Sequence, residues 1–386
     1  MPRAQRAGTS SARLQPLVNS DPWDDYERAC LLHPVRNEPD GRVVAYGHAE
    51  CVRVLNSRDF TSEQPFRASR LVFRRSVLDA ESSEHERLRS LLAAPLRPSR
   101  VDEYRAALVA PLVARTLRSV LDGSHDWMGP ARALPVRVLC RLLGIHDTSA
   151  AVLARLVTPI IAMIDHGRVP LADVRRARQA LEDELESAFF SLDDCNGPLG
   201  AAILDGIAAG TLTRKEAADN TALLFVAGTA TTTAAIAHAI HLVVTMNTES
   251  RREALDAVER PGFLREVLRL QPPVRYTPRF AARRVRLGEI ALEPGAMVQV
   301  CIASANRDPR AYHRSHLWSL DRDLEPAPLT FGRGLHSCLG AFLAELEVIE
   351  VLRYARSTLE RASLVDVPKL QPGWTLRVPA ELIVST

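Results

Sequence analysis

One short segment near the C-terminal end constrains the fold more than any other part of the chain. Residues 331–340 read Phe-Gly-Arg-Gly-Leu-His-Ser-Cys-Leu-Gly, and an apolar-periodic helical pattern follows at once over 341–347. Glycines let the backbone fold closely around a sulfur atom, and the start of a helix favours negative charge. The pattern predicts that Cys338 is presented to a metal ion as a thiolate. The alternative is a buried structural thiol, the usual role of an isolated cysteine.

The composition is that of a globular protein, because 46% of the 386 residues are hydrophobic and 25% are charged. A net charge of +3 is too small to predict binding to nucleic acid or to an anionic membrane. The six cysteines lack CxxC spacing, which disfavours a zinc site or a disulfide framework. Residues 1–20 are polar and predict a loose leader rather than a signal peptide or an anchor. We therefore expect one domain over 21–386, in the cytoplasm and away from membranes.

Hydrophobic periodicity predicts a mainly α-helical chain with small β-sheets, an α+β fold. Thr213 and Glu216 form a capping box ahead of an apolar pattern that persists to about residue 245. Such a helix is a rod of roughly 50 Å, and its apolar character on all sides predicts that it crosses the centre of the molecule. Shorter helices are predicted over 48–57, 82–94 and 260–270, strands over 41–47, 284–292, 297–302 and from 372 onward, and a long loop over 61–78.

The cysteine segment resembles the haem-binding loop of the cytochrome P-450 family, Phe-Gly-x-Gly-x-His-x-Cys-x-Gly, at all six specified positions. The resemblance implies the single-domain P-450 fold of the soluble bacterial type, with the long helix crossing the haem. It also implies haem b as cofactor, with Cys338 as its axial ligand. Phe331, Gly332, His336 and Gly340 are implied to contact the haem.

A second segment, Glu-His-Glu-Arg-Leu-Arg over residues 84–89, places His85 and Arg89 on one helix face. Spacing alone favours a solvated face. The segment resembles the family's Pro-Glu-His-x-Arg-Leu-Arg helix, although Ser83 replaces the proline. The resemblance implies that His85, Arg89, Arg279 and His336 bind the haem propionates.

Glu266 and Arg269 lie three residues apart, a spacing that by itself is typical of a solvated surface pair. In the cytochrome P-450 family the corresponding Glu-x-x-Arg pair is buried and locks the fold. Its second arginine is implied to be Arg322, although Trp and Ser replace Phe and Asp in the segment that precedes it.

The middle of the long helix reads Ala-Gly-Thr-Ala-Thr-Thr over residues 227–232. A seam of small packing residues would explain it, but it also resembles the family's oxygen-binding helix. That resemblance implies catalytic roles for Gly228 and Thr231, while Ala230 replaces the acid that helps to relay protons. Three explanations stay open: the substrate brings its own proton donor, water held by Thr231 relays protons from elsewhere, or the reaction needs no protonated O–O cleavage.

The predicted loop over 61–78 carries Arg67, Arg70, Arg74 and Arg75. A solvated surface run is the simpler interpretation. In this family the loop covers the haem, so these arginines are alternatively expected to contact an anionic substrate, a carrier or a nicotinamide phosphate.

The sequence therefore predicts a monomeric haem-thiolate monooxygenase. We expect it to oxidise a small organic molecule with O2 and electrons from ferredoxin and its reductase, in specialised (secondary) metabolism such as antibiotic biosynthesis. Because of Ala230, an atypical member that reduces nitric oxide, uses peroxide or couples substrates is the alternative. A non-catalytic haem sensor is a more remote one.

Overall fold

The structure is a computed structural model. It describes residue 17 and residues 21–65, 67–74, 76–146, 149–167, 169–187 and 197–386. Apart from Leu17, which is buried, the predicted leader lies outside the described residues. The same is true of Arg75.

Helices make up most of the molecule. They are α1 (Trp23–Leu32), α2 (His48–Asn56), α3 (Ala68–Phe73), α4 (Ser82–Ala93), α5 (Pro98–Tyr104), α6 (Ala110–Leu117), α7 (Met128–Leu143), α8 (Ala150–His166), α9 (Leu171–Leu185), α10 (Pro198–Ala208), α11 (Arg214–Thr245), α12 (Thr248–Asp256), α13 (Pro261–Leu270), α14 (Ile302–Ala305), α15 (Ala341–Tyr354) and α16 (Arg356–Arg361). The strands are β1 (Val35–Asn37), β2 (Val43–Ala45), β3 (Phe60–Thr61), β4 (Ser124–Asp126), β5 (Tyr276–Ala281), β6 (Val285–Leu287), β7 (Ile290–Leu292), β8 (Met297–Cys301), β9 (Ser363–Leu364) and β10 (Ile383–Ser385).

The predicted long helix is α11. Its capping box is formed, because the Glu216 N–H donates to Thr213 Oγ1 at 3.2 Å and the Thr213 N–H donates to Glu216 Oε2 at 2.8 Å. Within the described residues, α11 is the one helix long and apolar enough to span a membrane, but 72% of its most apolar window is buried inside the protein. It packs against α7 and α15 and forms the centre of the main hydrophobic core.

A five-stranded sheet, in the order β1-β2-β8-β5-β3, lies beside the helices and has its own small core. β2 and β8 are parallel, with Val43 opposite Val298, whereas β5 runs antiparallel to both β8 and β3. A three-stranded sheet β4-β10-β9 and a hairpin β6-β7 complete the β-structure.

The prediction of element types was wrong at several points. Strand β5 was not predicted, because Pro278 argues against a strand. On the β3 side of β5, only Phe280 and Ala281 have partner residues, so Pro278 faces no neighbouring strand there. The predicted loop over 61–78 contains α3, which buries Val72 and Phe73. Residues 284–292 form a hairpin that turns at Gly288 with φ +59°. From residue 372 onward, only Ile383–Ser385 forms a regular strand.

Candidate active site

A cavity of about 350 Å³ lies between α11 and the cysteine segment. Its lining gathers most of the site residues expected from sequence: Gly228, Thr231, Arg89, Arg279, Phe331, Gly332, His336, Cys338 and Gly340. In the part of the chain that the structure describes, the lining does not include His85, Ala230, Arg67, Arg70 or Arg74. Residues that are far apart in the sequence, such as Arg89 and Cys338, therefore line a single cavity.

The loop that carries Cys338 is a tight turn ahead of α15. The Cys338 N–H donates to the Phe331 carbonyl at 2.8 Å, and Gly332 and Gly334 have φ values of +67° and +71°. A Cβ atom on Gly334 would lie 2.6 Å from the Leu55 carbonyl oxygen, so α2 packs directly on this backbone. Burial raises the pKa of the Cys338 thiol, whereas the Gly340 N–H and the charge of Arg89 lower it.

Two arginines reach this cavity without being neutralised by a carboxylate. Arg89 donates from Nη1 to the Ser337 carbonyl at 2.9 Å and from Nη2 to Ser337 Oγ at 3.1 Å. Arg279 is buried and donates to the Pro278 carbonyl at 2.9 Å. Burial and the charge of Arg67 lower the pKa of Arg279 to about 10. Neither arginine has a carboxylate partner among the described residues, which is costly for Arg279 because it is buried.

Two histidines are packed against each other next to these arginines. The rings of His85 and His336 are 4.6 Å apart between centroids. His85 is fully buried, and neither of its ring nitrogens has a hydrogen-bond partner in the described chain. Burial lowers the pKa of His85 to about 4, so the ring is neutral at pH 7. Unpaired donors beside two unneutralised arginines fit the two carboxylates of haem, and Cys338 provides a ligand for its iron.

The α11 wall of the cavity carries the predicted threonine and glycine. Thr231 donates from Oγ1 to the Ala227 carbonyl at 2.6 Å, a bond one turn back along the helix. A Cβ atom on Gly228 would lie 3.1 Å from Leu139 Cδ1, so the glycine also allows α7 to pack closely. Gly228 therefore lines the cavity and packs against α7 at the same time.

Glu266, Arg269 and Arg322 form one buried cluster away from the cavity. Arg269 donates to Glu266 through Nε at 2.6 Å and through Nη2 at 2.8 Å. Arg322 Nε donates to Glu266 Oε1 at 2.9 Å. The cluster joins α13 to the segment before the cysteine loop, because Arg269 also binds the Asn306 and Ser315 carbonyls. A solvated surface pair is thereby excluded, since Glu266 and Arg269 are buried.

The three described arginines of the 61–78 segment do not face the cavity as free cations. Each has a carboxylate partner: Arg67 binds Asp79 at 3.1 Å, Arg70 binds Glu63 at 3.5 Å and Arg74 binds Glu182 at 2.9 Å. The described contacts of these residues therefore give no support to the expectation that they contact an anionic substrate. Their partners could not be inferred from sequence spacing, because Arg74 and Glu182 are far apart in the chain.

Two carboxylates at the site were missed in the sequence. Glu347 lines the cavity, is buried, and its Oε2 has no hydrogen-bond partner in the described residues. The sequence could have indicated Glu347, because this acid falls on the apolar face of α15 together with Leu343 and Leu346. Glu81 accepts a hydrogen bond from His336 Nε2 at 3.2 Å, and nothing in the local sequence pointed to it.

Comparison with known proteins identifies relatives of the chain. The sequence model of the family described as "Cytochrome P450" matches residues 201–353. A protein named Cytochrome P450 119, from Sulfurisphaera tokodaii, is 31% identical over 80% of this chain and 84% of its own length. The 6-deoxyerythronolide B hydroxylase of Saccharopolyspora erythraea is 30% identical over 70% of this chain and 67% of its own length.

A solved structure gives the same result for the fold. The crystal structure of HmtN, described as a post-tailoring hydroxylase involved in himastatin biosynthesis, superposes with a TM-score of 0.78 at 26% identity. The match covers 92% of this chain and 94% of that one. The chain thus belongs to the cytochrome P450 family of haem-thiolate monooxygenases, whose haem b is bound through a cysteine, here Cys338.

Proposed function

We propose that this monooxygenase hydroxylates a small, largely apolar organic molecule in specialised metabolism. The single observation that carries the proposal is the cavity that faces Thr231 on one side and Cys338 on the other. Bound haem supplies the oxygen-activating chemistry. The protein would bind the substrate in the cavity that Thr231 lines and hold protons there.

Apolar side chains in the lining of the cavity support an apolar substrate. They include Val77, Leu78, Leu224, Val274 and Ile302, and the polar groups that α11 adds to the lining are threonine hydroxyls. Since the arginines of residues 67–74 are paired with carboxylates, an anionic or carrier-tethered substrate has no support from this segment. We therefore favour a neutral substrate.

The names of the relatives support the same reaction type. One is named as a hydroxylase of 6-deoxyerythronolide B, and HmtN is described as a hydroxylase in a biosynthetic route. By analogy we assign this chain to the tailoring of a biosynthetic product.

For electron supply we propose a separate ferredoxin and its reductase. Arg97 and Arg100 are exposed at the start of α5, which packs against α15, and Leu335 and Phe342 are exposed at the cysteine loop. A basic surface with an apolar centre suits a small acidic protein. We further propose that the enzyme acts as a monomer in the cytoplasm.

In place of an acid at Ala230, we propose that Glu347 holds the proton. It lines the same cavity as Thr231 and Thr232. Burial raises the pKa of Glu347 well above its usual range, and no cationic group among the described residues opposes that rise. A neutral carboxylic acid in the lining of the cavity is a proton source that does not depend on the substrate.

A second candidate function is favoured by Ala230 alone. An atypical member that reduces nitric oxide, consumes peroxide or couples substrates would not need the missing acid. Carbon monoxide added to the reduced protein should give the absorption band of thiolate-bound haem; a spectrum without that band would reject thiolate ligation by Cys338. Product formed with ferredoxin, reductase and O2 supports the monooxygenase, whereas turnover with NADH and nitric oxide alone, or with peroxide alone, supports the second candidate.

A further inference from the structure

Glu81 connects three parts of the protein next to the cavity. It is the last residue before α4, and its Oε1 accepts hydrogen bonds from Thr61 Oγ1 at 2.8 Å, from the Ser62 N–H at 2.7 Å and from His336 Nε2 at 3.2 Å. Its carboxylate does not cap the first turn of α4. Stabilising that helix is therefore not the reason for an acid at this position.

The donors to Glu81 place it between two elements that bind haem. Thr61 belongs to β3 and lies opposite Phe280 of β5, the neighbour of Arg279. His336 lies two residues before Cys338 in the cysteine loop. Through Glu81, the histidine of that loop is therefore held in a fixed relation to the sheet that carries Arg279.

We propose that Glu81 is a positioning residue for the cofactor. By accepting the Nε2 hydrogen of His336, it fixes the orientation of the imidazole ring that lines the cavity two residues before Cys338. The role requires haem binding, which the family shares, and does not depend on the proposed substrate.

The charge of Glu81 has a second effect at the same place. Burial raises the pKa of Glu81, but hydrogen bonds from His336, Ser62 and Thr61 outweigh burial and lower this pKa to about 2. The carboxylate is therefore ionised at neutral pH. Two arginines are close enough to feel its charge: Arg67, which is bound to Asp79, and Arg279, which has no carboxylate bound to it directly. A fixed negative charge beside the cavity opposes the gain of an electron by bound haem. Glu81 is thus expected to hold the reduction potential low.

The test compares holoenzyme variants by two measurements other than turnover. Haem loss is followed by transfer to excess apomyoglobin, and the midpoint potential by dye-mediated titration. For Glu81→Gln we expect haem loss to accelerate by roughly tenfold, the factor for one hydrogen bond to a charged group, and the potential to rise. Glu86→Gln, at an exposed site on α4, removes the same charge and should change neither.

Coupling between Glu81 and His336 distinguishes a positioning role of Glu81 from a general effect of Glu81 on the stability of the protein. If Glu81 acts through His336, the Glu81→Gln, His336→Gln double variant loses haem no faster than His336→Gln alone. Additive effects in the double variant, or wild-type haem loss in Glu81→Gln, would overturn the proposal. Should Glu81→Gln fail to fold, Thr61→Val removes one donor to Glu81 and must show a smaller acceleration of haem loss; no acceleration there counts against the proposal. All rates are compared with wild type, so a wild-type protein lacking the thiolate band would refute the proposed function separately.

Discussion

At the residue scale, the cavity is unusual in where its polar groups reside. The α11 wall offers the Thr231 hydroxyl, already bonded to the Ala227 carbonyl, and no carboxyl. The unpaired carboxyl that lines the same cavity is Glu347, on α15. A buried carboxyl without a partner is destabilising unless it stays protonated, and a retained proton is what the missing acid would have provided.

Glu347→Gln keeps the shape of the side chain but removes the transferable proton. We expect product formation per bound haem to fall by roughly a hundredfold, a typical loss for one acid–base group, while more of the consumed O2 appears as peroxide. Glu350→Gln is the matched control, since Glu350 on the same helix is bound to Arg105 and Arg353. Ala230→Glu should not raise product formation from the native substrate, because Ala230 is not among the described residues that line the cavity. If Glu347→Gln converts the same share of the consumed O2 into product as the wild type does, Glu347 does not lie on the proton route.

The raised pKa of Glu347 also predicts how the free energy of unfolding changes with pH. Because its pKa in the folded protein lies well above the usual 4.5, the folded state holds a proton that the unfolded state has released. The free energy of unfolding should therefore fall as pH rises above about 4.5, by up to about 1.4 kcal/mol per pH unit. Denaturant unfolding from pH 5 to 8 should show this slope in the wild type and a flatter one in Glu347→Gln. Parallel slopes would mean that Glu347 is ionised in the folded protein.

At the scale of elements, the cysteine loop is held by contact with α2 as well as by its own turns. Gly332 and Gly334 both have positive φ, but only a side chain on Gly334 would meet the backbone oxygen of Leu55. Backbone cannot move aside as a flexible side chain can. The loop and α2 therefore constrain each other's position.

Gly332→Ala and Gly334→Ala separate these two constraints. Both should pay the conformational cost of about 1–2 kcal/mol for a non-glycine residue with positive φ. Gly334→Ala should in addition lose most of its bound haem, because the loop must shift away from α2. Haem content per folded protein and the melting temperature measure the difference. Equal haem content in the two variants would show that contact with α2 does not matter.

Elements with a strong local pattern could be predicted from the sequence. The capping box and the apolar run defined α11 to within one residue, and the glycine spacing located the loop around Cys338. β5 escaped prediction because Pro278 argues locally against a strand that tertiary pairing nevertheless allows. The charge partners of Arg67 and Arg74 and the role of Glu81 depend on contacts between distant segments, which spacing along the chain does not encode.

At the scale of the whole molecule, one buried ionic cluster joins α13 to the segment before the cysteine loop. Glu266 accepts from both Arg269 and Arg322, and from the Ser319 N–H at 3.0 Å. Removing the carboxylate leaves the buried Arg269 without a counter-charge, whereas Arg322 keeps its ion pair with Glu325. Such a change is more costly than losing an ion pair at the surface.

Glu266→Gln should lower the free energy of unfolding by about 3–5 kcal/mol. Asp256→Asn, at an exposed pair with Arg356, should change it by less than about 1 kcal/mol. Urea denaturation of both variants measures the difference. Similar losses in the two variants would show that the Glu266 cluster contributes no more than a surface pair.

The strand order of the five-stranded sheet bears on how the protein is made. β1 and β2 leave the ribosome early, but β8, the parallel partner of β2, is translated only after most of the chain, and Cys338 later still. Pairing across such a separation forms late. The nascent chain can pair β2 with β1 early, but the other edge of β2 must stay without its partner β8 through most of translation. Haem capture should therefore occur close to chain release rather than during elongation.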